Sequence, residues 1–247
     1  MRVTIINPNT TRAMTENIAA AARAAASAGT EIFAVQPSAG PASIEGVYDG
    51  ALAVPGVVEE VLRAEAAGSN AHIIACFDDT GLDAARAAAV KPVIGIGEAA
   101  FHIASLVAHR FTVITTLSRS VPVIERNLAV VGLMARCARV RATDIPVLAL
   151  DDPASDARNH ISDMIATAMR DDGADGIVLG CAGMANLADD LSVTHRLPVV
   201  EGVSAAVRLA ESVVGLRLTT SKRGLWASPL PKPYAGAFAS FAPTAKI

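Results

Sequence analysis

The chain has 247 residues and a formal net charge of −3, and it is 52% hydrophobic but only 4% aromatic. Its length suits one large globular domain or two smaller ones. Lysine and arginine are interspersed with acidic residues rather than clustered, which argues against a surface for nucleic acid or acidic membranes. The apolar stretch after Met1 is too short to span a bilayer, so no membrane partner is expected.

Short β-rich runs alternate with longer helical patterns along the chain. The predicted strands are residues 3–7, 31–35, 71–75, 92–96, 111–115, 138–142, 176–180 and 198–202. The predicted helices are residues 11–28, 51–67, 82–89, 98–108, 120–131, 157–170 and 203–214. Because Val/Ile-rich strands separated by helices are typical of parallel sheets covered on both faces, the predicted fold class is α/β.

The chain also contains an internal repeat. IIACFDDTGLDAARAAAVKPVIGIGEAA matches IVLGCAGMANLADDLSVTHRLPVVEGVSAA, with Leu82 six residues after Cys76 and Leu187 six residues after Cys181. This period is too long for a solenoid and predicts two related domains. Each cysteine follows a strand and precedes a helical pattern, which puts it at the carboxyl edge of its sheet, where open α/β sheets bind ligands. If the halves face each other, the two thiols line one cleft.

Two thiols facing one ligand suit proton transfer. A free thiol has a pKa near 8.5, so about 3% is thiolate at pH 7. A helix N-terminus lowers that pKa, whereas Asp78 and Asp79 would raise the pKa of Cys76 if they lie close. A thiolate and a thiol on opposite faces of a ligand would serve as base and acid at a carbon next to a carbonyl. Such a stereoinversion requires no metal and no redox cofactor.

The third cysteine is an internal comparison. Cys137 lies between basic residues and has no counterpart in the repeat, so a structural role is predicted for it. Three cysteines without CxxC spacing exclude a disulfide framework and a cysteine-rich zinc site. Free thiols are typical of a reducing compartment, and a cytoplasmic location is therefore expected.

Two patterns that could indicate a cofactor, a dinucleotide-like motif and the histidines, do not predict one. Residues 95–100, GIGEAA, match the dinucleotide pattern G-x-G-x-x-A, but they follow the fourth strand, and the next strand lacks the acidic residue that binds ribose. Close helix–strand packing explains these glycines better. The five histidines show neither HxH nor HExxH spacing, so no metal site is predicted.

Several long segments resemble the hydantoin and allantoin racemases of the aspartate/glutamate racemase superfamily, over nearly the whole chain. They are INPNT (6–10), GPASIEGVYD (40–49), ALAVPG (51–56), ACFDDTGLDAAR (75–86), PVIGIGEAA (92–100), HRFTVITTLSRSV (109–121), IVLGCAGM (177–184) and TSKRG (220–224). The resemblance implies an active site in a cleft between two pseudo-symmetric α/β domains, with Cys76 and Cys181 as the catalytic proton-transferring pair. It implies a discontinuous first domain, residues 1–97 plus 206–247, and a second domain, residues 98–205.

The neighbours of the thiols bear on the substrate. Around the two cysteines, amino-acid racemases of the superfamily have motifs similar to CNT and GCT, whereas this chain has CFD and GCAG. Phe77 adds bulk and Asp78 adds an acceptor, which suits a neutral hydantoin ring better than glutamate. The resemblance implies further substrate contacts at Asn9, Ser43, Ile44, Thr116, Ala182 and Gly183.

Some of these positions have plainer explanations. Helix capping is the alternative role of Asn9 and of Asp78, and the segment with Ser43 could be an ordinary turn. Thr80 stands where the family commonly has proline, which could soften the turn after Cys76.

Three functions follow for testing. The first is a cofactor-independent racemase of 5-substituted hydantoins, with allantoin as a specific candidate. The second is an amino-acid racemase, or a relative resembling maleate isomerase or a decarboxylase; the intact thiol pair counts against the one-cysteine decarboxylases. The third, a non-catalytic small-molecule binding module, has no need of paired thiols. Related racemases commonly assemble, so a homo-oligomer is expected, with the Pro-rich tail 228–243 at an interface.

Overall fold

The computed structural model of the protein describes residues 1–151 and 155–243. The strands of this part are β1 (Arg2–Ile6), β2 (Glu31–Val35), β3 (Ala71–Ile74), β4 (Val93–Gly95), β5 (Phe111–Thr115), β6 (Cys137–Ala142), β7 (Gly176–Gly180) and β8 (Val199–Glu201). Its α-helices are α1 (Arg12–Ala25), α2 (Val47–Ala66), α3 (Leu82–Ala88), α4 (Ile96–Val107), α5 (Val121–Val130), α6 (Ala157–Thr167), α7 (Ala188–His195) and α8 (Gly202–Gly215).

The strands form two parallel four-stranded sheets with the same order. The first sheet runs β2-β1-β3-β4 and the second runs β6-β5-β7-β8. Strands β3, β5 and β7 are buried along their whole length, as expected where helices cover both faces of a sheet. The α/β fold class and the two related halves are thus confirmed.

Most predicted elements agree with the structure to within a few residues. The prediction missed α7 and began the second helix too late, at residue 51. Helix α2 starts at Val47, and the carboxylate of Asp49 in its first turn accepts a hydrogen bond from the N–H of Glu45 at 3.0 Å. Pro55 lies inside this helix, where it donates no backbone hydrogen bond.

Helices α4 and α8 pack directly against each other. A Cβ atom on Gly202 would lie 2.5 Å from the carbonyl oxygen of Ile96, so only glycine permits this approach. The carboxylate of Glu201 caps α8 by accepting hydrogen bonds from the N–H groups of Val203 and Ser204. The N-termini of the two helices, each directly after the last strand of its sheet, therefore meet.

The segment after α8 returns to α3, beside the first sheet. The Lys222 ammonium donates hydrogen bonds to carbonyl oxygens in the last turn of α3 and just beyond it, at 2.8–2.9 Å. The Trp226 indole N–H donates to the carboxylate of Asp83 at 2.9 Å. These contacts fit the discontinuous first domain, whose boundaries stay a prediction. Residues 244–247 of the predicted first domain and residues 152–154 of the predicted second domain lie outside the described residues.

Candidate active site

A small cavity lies where the carboxyl ends of the two sheets meet. Its volume is about 40 Å³, far below the roughly 300–1,000 Å³ of ordinary ligand pockets, so the cleft is narrow here. Cys76 and Cys181 both line it. The predicted substrate-binding residues that also line it are Asn9, Ile44, Phe77, Asp78, Thr116 and Ala182.

Cys76 lies in the loop between β3 and α3 and is a free thiol. Its sulfur accepts a hydrogen bond from the Thr80 hydroxyl at 3.4 Å. Burial and the nearby charge of Asp78 raise the pKa of the Cys76 thiol well above its usual range. The helix N-terminus does not offset this effect, because α3 begins only at Leu82. Cys76 is therefore a protonated thiol at neutral pH.

Cys181 lies between β7 and a short 3-10 helix, Ala182–Leu187, and forms no disulfide. Its backbone is extended, and its carbonyl accepts a hydrogen bond from the N–H of Met184 at 3.1 Å. After burial and Asp78, the charge of Cys181 also raises the pKa of Cys76. This coupling is expected for two thiols that face one cavity, because the second thiolate would form beside the first.

The two aspartates after Cys76 point in different directions. Asp78 lines the cavity, and burial raises the pKa of its carboxyl to about 6, although Arg126 lowers it. The carboxylate of Asp79 instead accepts hydrogen bonds from the N–H groups of Gly97 and Glu98, at 2.9 and 2.8 Å. Asp79 therefore fastens the Cys76 loop to the N-terminus of α4.

The GIGEAA segment receives the Asp79 carboxylate and the backbone beside it. A Cβ atom on Gly95 would lie 2.2 Å from Asp79 Oδ1, and one on Gly97 would lie 2.4 Å from the carbonyl oxygen of Phe77. Asp79 itself has a left-handed φ of 51°. Burial, followed by the charge of Glu98, raises the pKa of Asp79 to about 8. The two glycines thus make room for the loop that carries Cys76.

The amide of Asn9 has a defined orientation. Its Oδ1 accepts hydrogen bonds from the N–H of Thr11 and from the Asn7 side chain, each at 2.9 Å. Because a backbone N–H can only donate, the accepting atom is the amide oxygen. The Asn9 amide nitrogen lies 3.5 Å from the thioether of Met14, a weak acceptor. Asn9 thus holds the turn before α1, whose N-cap residue is Thr11, and also keeps an N–H group for a ligand in the cavity.

Contacts between the two halves close the cavity. The Glu45 carboxylate accepts a hydrogen bond from the N–H of Val147 at 3.3 Å, and the Arg119 guanidinium donates to the carbonyl of Glu45 at 3.3 Å. On the other side, the Asn127 amide donates to the carbonyl of Asp78 at 2.9 Å. A ligand larger than the cavity requires these contacts to open.

Comparison with known proteins identifies the family. The model of the Asp/Glu/Hydantoin racemase family matches residues 3–210. The chain belongs to this family. A hydantoin racemase of Rhizobium meliloti is 46% identical over 96% of this chain and 98% of its own length. An allantoin racemase structure from Klebsiella pneumoniae is 48% identical, with a TM-score of 0.96 over 99% of this chain and 100% of that one. An allantoin racemase structure from Pseudomonas fluorescens is 42% identical, with a TM-score of 0.92, and covers 96% of this chain and 100% of its own.

Thr116 lines the cavity with a hydroxyl, and Phe77 lines it with an aromatic ring. Thr116 is buried, and within residues 1–151 and 155–243 its hydroxyl has no hydrogen-bond partner. The hydroxyl of its neighbour Thr115 donates to the carbonyl of Gly180 at 3.1 Å and is therefore structural. The Phe77 ring packs edge-on against Phe101, with centroids 5.4 Å apart. Phe77 is thus a core side chain that also lines the cavity.

Two predicted contacts lie outside the cavity lining. Ser43 is half-buried in the loop whose next residue, Ile44, does line it. Gly183 lines the neighbouring groove between α1, α8 and the 3-10 helix instead. The sequence reasoning also missed several lining residues, of which Asn7 and Thr115 follow or end strands that the repeat relates. The missed residues are Asn7, Met14, Ala75, Thr115, Ser120, Val147 and Gly180.

The described residues contain neither a metal-ligand cluster nor a helix that could span a membrane. In the described part of the chain, no three or more His, Cys, Asp and Glu side chains are grouped as metal ligands. No helix of residues 1–151 and 155–243 combines the length and the apolarity needed to cross a membrane.

Proposed function

We propose that this member of the Asp/Glu/Hydantoin racemase family racemises 5-substituted hydantoins, with allantoin, the ureido-substituted hydantoin, as a substrate. The observation that carries the proposal is that Cys76 and Cys181, neither of them in a disulfide, line one small cavity at the ends of two related sheets. The names of the relatives supply the substrate class: hydantoin racemase at 46% identity and allantoin racemase at 48%.

The reaction needs one proton on each side of the ring. A thiolate removes the C5 proton, so the C5–H bond breaks, an S–H bond forms, and the electron pair moves onto the adjacent carbonyl as an enolate. The opposite thiol then gives its proton to C5 from the other face and becomes a thiolate. The two sulfurs have exchanged protonation states, and proton exchange with water restores the starting form. No electrons leave the substrate, so no redox partner is involved.

Cys76 begins the cycle as a protonated thiol. Burial and Asp78 keep the Cys76 thiol protonated at neutral pH, since both raise its pKa. We therefore assign the first proton donation to Cys76 and the first abstraction to Cys181 in the resting enzyme. For the opposite enantiomer the roles reverse, and Cys76 must act as the thiolate.

The enolate oxygen needs hydrogen-bond donors. The Asn9 amide N–H and the Thr116 hydroxyl line the cavity without a strong acceptor in the described residues. Ala182, the first residue of the 3-10 helix after Cys181, also lines the cavity. Donors aimed at a developing negative charge contribute strongly to rate because they are oriented before the reaction.

Asn9→Asp separates the role of this residue in the turn from its donor role. Aspartate keeps the oxygen that accepts from Thr11 but removes the N–H group and adds a negative charge beside the enolate. We expect kcat/KM to fall about 10²–10³-fold, the cost of losing one oxyanion donor, while Tm changes little. Kinetics by polarimetry and thermal unfolding of the same preparation measure both. An unchanged kcat/KM would exclude Asn9 from the site.

The substrate class is tested by loss of optical rotation. The purified protein is incubated separately with single enantiomers of allantoin, an aliphatic hydantoin and an aromatic hydantoin, and with L-aspartate and L-glutamate. We expect rotation to be lost with at least one hydantoin and retained with both amino acids. Turnover of the amino acids alone would establish the amino-acid racemase instead, and turnover of none would leave the binding module.

The C-terminal tail supports assembly into a homo-oligomer. Residues 227–240 are all exposed, and their apolar side chains include Leu230, Tyr234 and Phe238. Such side chains are typical of a surface that another protein covers. We expect removal of residues 228–247 to lower the mass of the assembly as measured by sedimentation; an unchanged mass would exclude the tail from the interface.

We place the enzyme in the cytoplasm, because its thiols must stay reduced; recovery from the secreted or periplasmic fraction would contradict this.

A further inference from the structure

We propose that Thr80 is a positioning residue for the reaction, which holds the Cys76 sulfur in place and supports it as a thiolate. The proposal rests on the racemase function proposed above. It concerns the direction of reaction in which Cys76 abstracts the proton.

The loop geometry brings Thr80 back onto Cys76. The N–H of Asp79 donates to the carbonyl of Cys76 at 3.0 Å, and the N–H of Leu82 donates to the carbonyl of Asp79 at 3.1 Å. These two turns return the chain, so that the Thr80 hydroxyl lies 3.4 Å from the Cys76 sulfur. Thr80 is buried, and among the described residues its hydroxyl donates a hydrogen bond to the Cys76 sulfur and to no other atom.

Burial and the nearby charges disfavour the thiolate of Cys76. The titratable groups facing it are Asp78 in its own loop and Cys181 across the cavity, while Arg126 of α5 faces Asp78. Burial and the charge of Asp78 raise the pKa of the thiol, whereas hydrogen bonds from the Thr80 hydroxyl, the larger of the two effects, and from the backbone N–H of Asp78 lower it. A hydrogen bond to an ionised group is stronger than one between neutral groups, so this donor favours the thiolate more than the thiol. Threonine suits the task because its branched Cβ restricts χ1.

Both directions of racemisation depend on this thiolate. The two enantiomers have equal free energy, so kcat/KM must be equal for both at equilibrium. A smaller thiolate fraction at Cys76 therefore lowers kcat/KM for both enantiomers by the same factor. Thr80 acts through Cys76 alone, and its removal should change thiol reactivity even without substrate.

The test compares Thr80→Val, which replaces the hydroxyl by a methyl of similar size, with Thr80→Ser, which keeps the hydroxyl. Iodoacetamide labelling of Cys76 in the full chain is followed by peptide mass spectrometry from pH 6 to 11. We expect Thr80→Val to slow labelling about tenfold at each pH below the pKa of Cys76, which corresponds to a pKa about one unit higher. The kcat/KM for both enantiomers should fall by a similar factor, and Thr80→Ser should restore both quantities towards wild type.

Asp78→Asn is the control of opposite sign. It removes the charge that raises the pKa of Cys76, so this pKa should fall and labelling at a given pH should become faster. Equal labelling curves for wild type and Thr80→Val would overturn the proposal, and so would a Thr80→Ser variant as slow as Thr80→Val. Labelling needs no substrate, so a wild-type protein inactive on hydantoins would refute the proposed function without deciding the contact between Thr80 and Cys76.

Discussion

Cys76→Ser and Cys181→Ser are each expected to abolish racemisation, with kcat/KM at least about 10³-fold lower for both enantiomers. A serine hydroxyl is a far weaker acid than a thiol, so the variant loses a base in one direction and an acid in the other. General acid–base groups typically contribute 10²–10⁴-fold each. Polarimetry on the substrate identified in the panel measures the loss.

The two cysteine variants should differ in isotope exchange. In D2O, each variant keeps one thiol and can exchange the C5 proton of the enantiomer whose C5–H faces that thiol. We expect opposite enantiomers to exchange in the two variants, as followed by NMR. Cys137→Ser is the matched control, because Cys137 lies in β6, outside the cavity, and its thiol donates to the carbonyl of Arg139. Wild-type turnover in either active-site variant would end the two-thiol mechanism.

Gly97→Ala should damage activity and stability together. The new Cβ would lie 2.4 Å from the Phe77 carbonyl oxygen and 2.9 Å from the Asp79 carboxylate, so the loop carrying Cys76 must shift. Overpacking costs about 1–3 kcal/mol, which lowers Tm by roughly 2–12 °C for a chain of this size. A displacement of about 1 Å at a catalytic group can cost 10²-fold. We expect kcat to fall about 100-fold.

Gly215→Ala is the matched glycine control. Gly215 ends α8, and a Cβ atom there would have no atom within 4 Å. Alanine is a better helix former than glycine, so this variant should keep full activity and lose no stability. Equal kcat values for Gly97→Ala and wild type would show that the GIGEAA segment does not hold the Cys76 loop.

Periodicity and the internal repeat were enough to predict the two sheets. The Val/Ile runs at β3 and β7, each followed by a cysteine, predicted that both thiols lie at carboxyl edges, and both do line one cavity. Asn9 and Thr116, which follow strands that the repeat relates, were predicted from the family resemblance, and both line the cavity.

Direction of side chains could not be predicted. Asp78 and Asp79 are adjacent and chemically identical, yet one lines the cavity and the other caps α4, because Asp79 adopts a left-handed backbone. Ser43 and Ile44 divide in the same way between the outside and the inside of one loop. The closing contacts, such as that between Glu45 and Val147, join residues far apart in the chain, and no local pattern indicates them.

The most direct measurement is the position of deuterium early in the reaction. Wild-type protein is incubated in D2O with one enantiomer of a hydantoin substrate, and both enantiomers are separated and analysed by mass spectrometry before one tenth is converted. With a base and an acid on opposite faces, the product should carry deuterium at C5 while the remaining substrate keeps its proton. Deuterium entering the recovered starting enantiomer as fast as the product would mean that one group serves both faces, and would contradict the account.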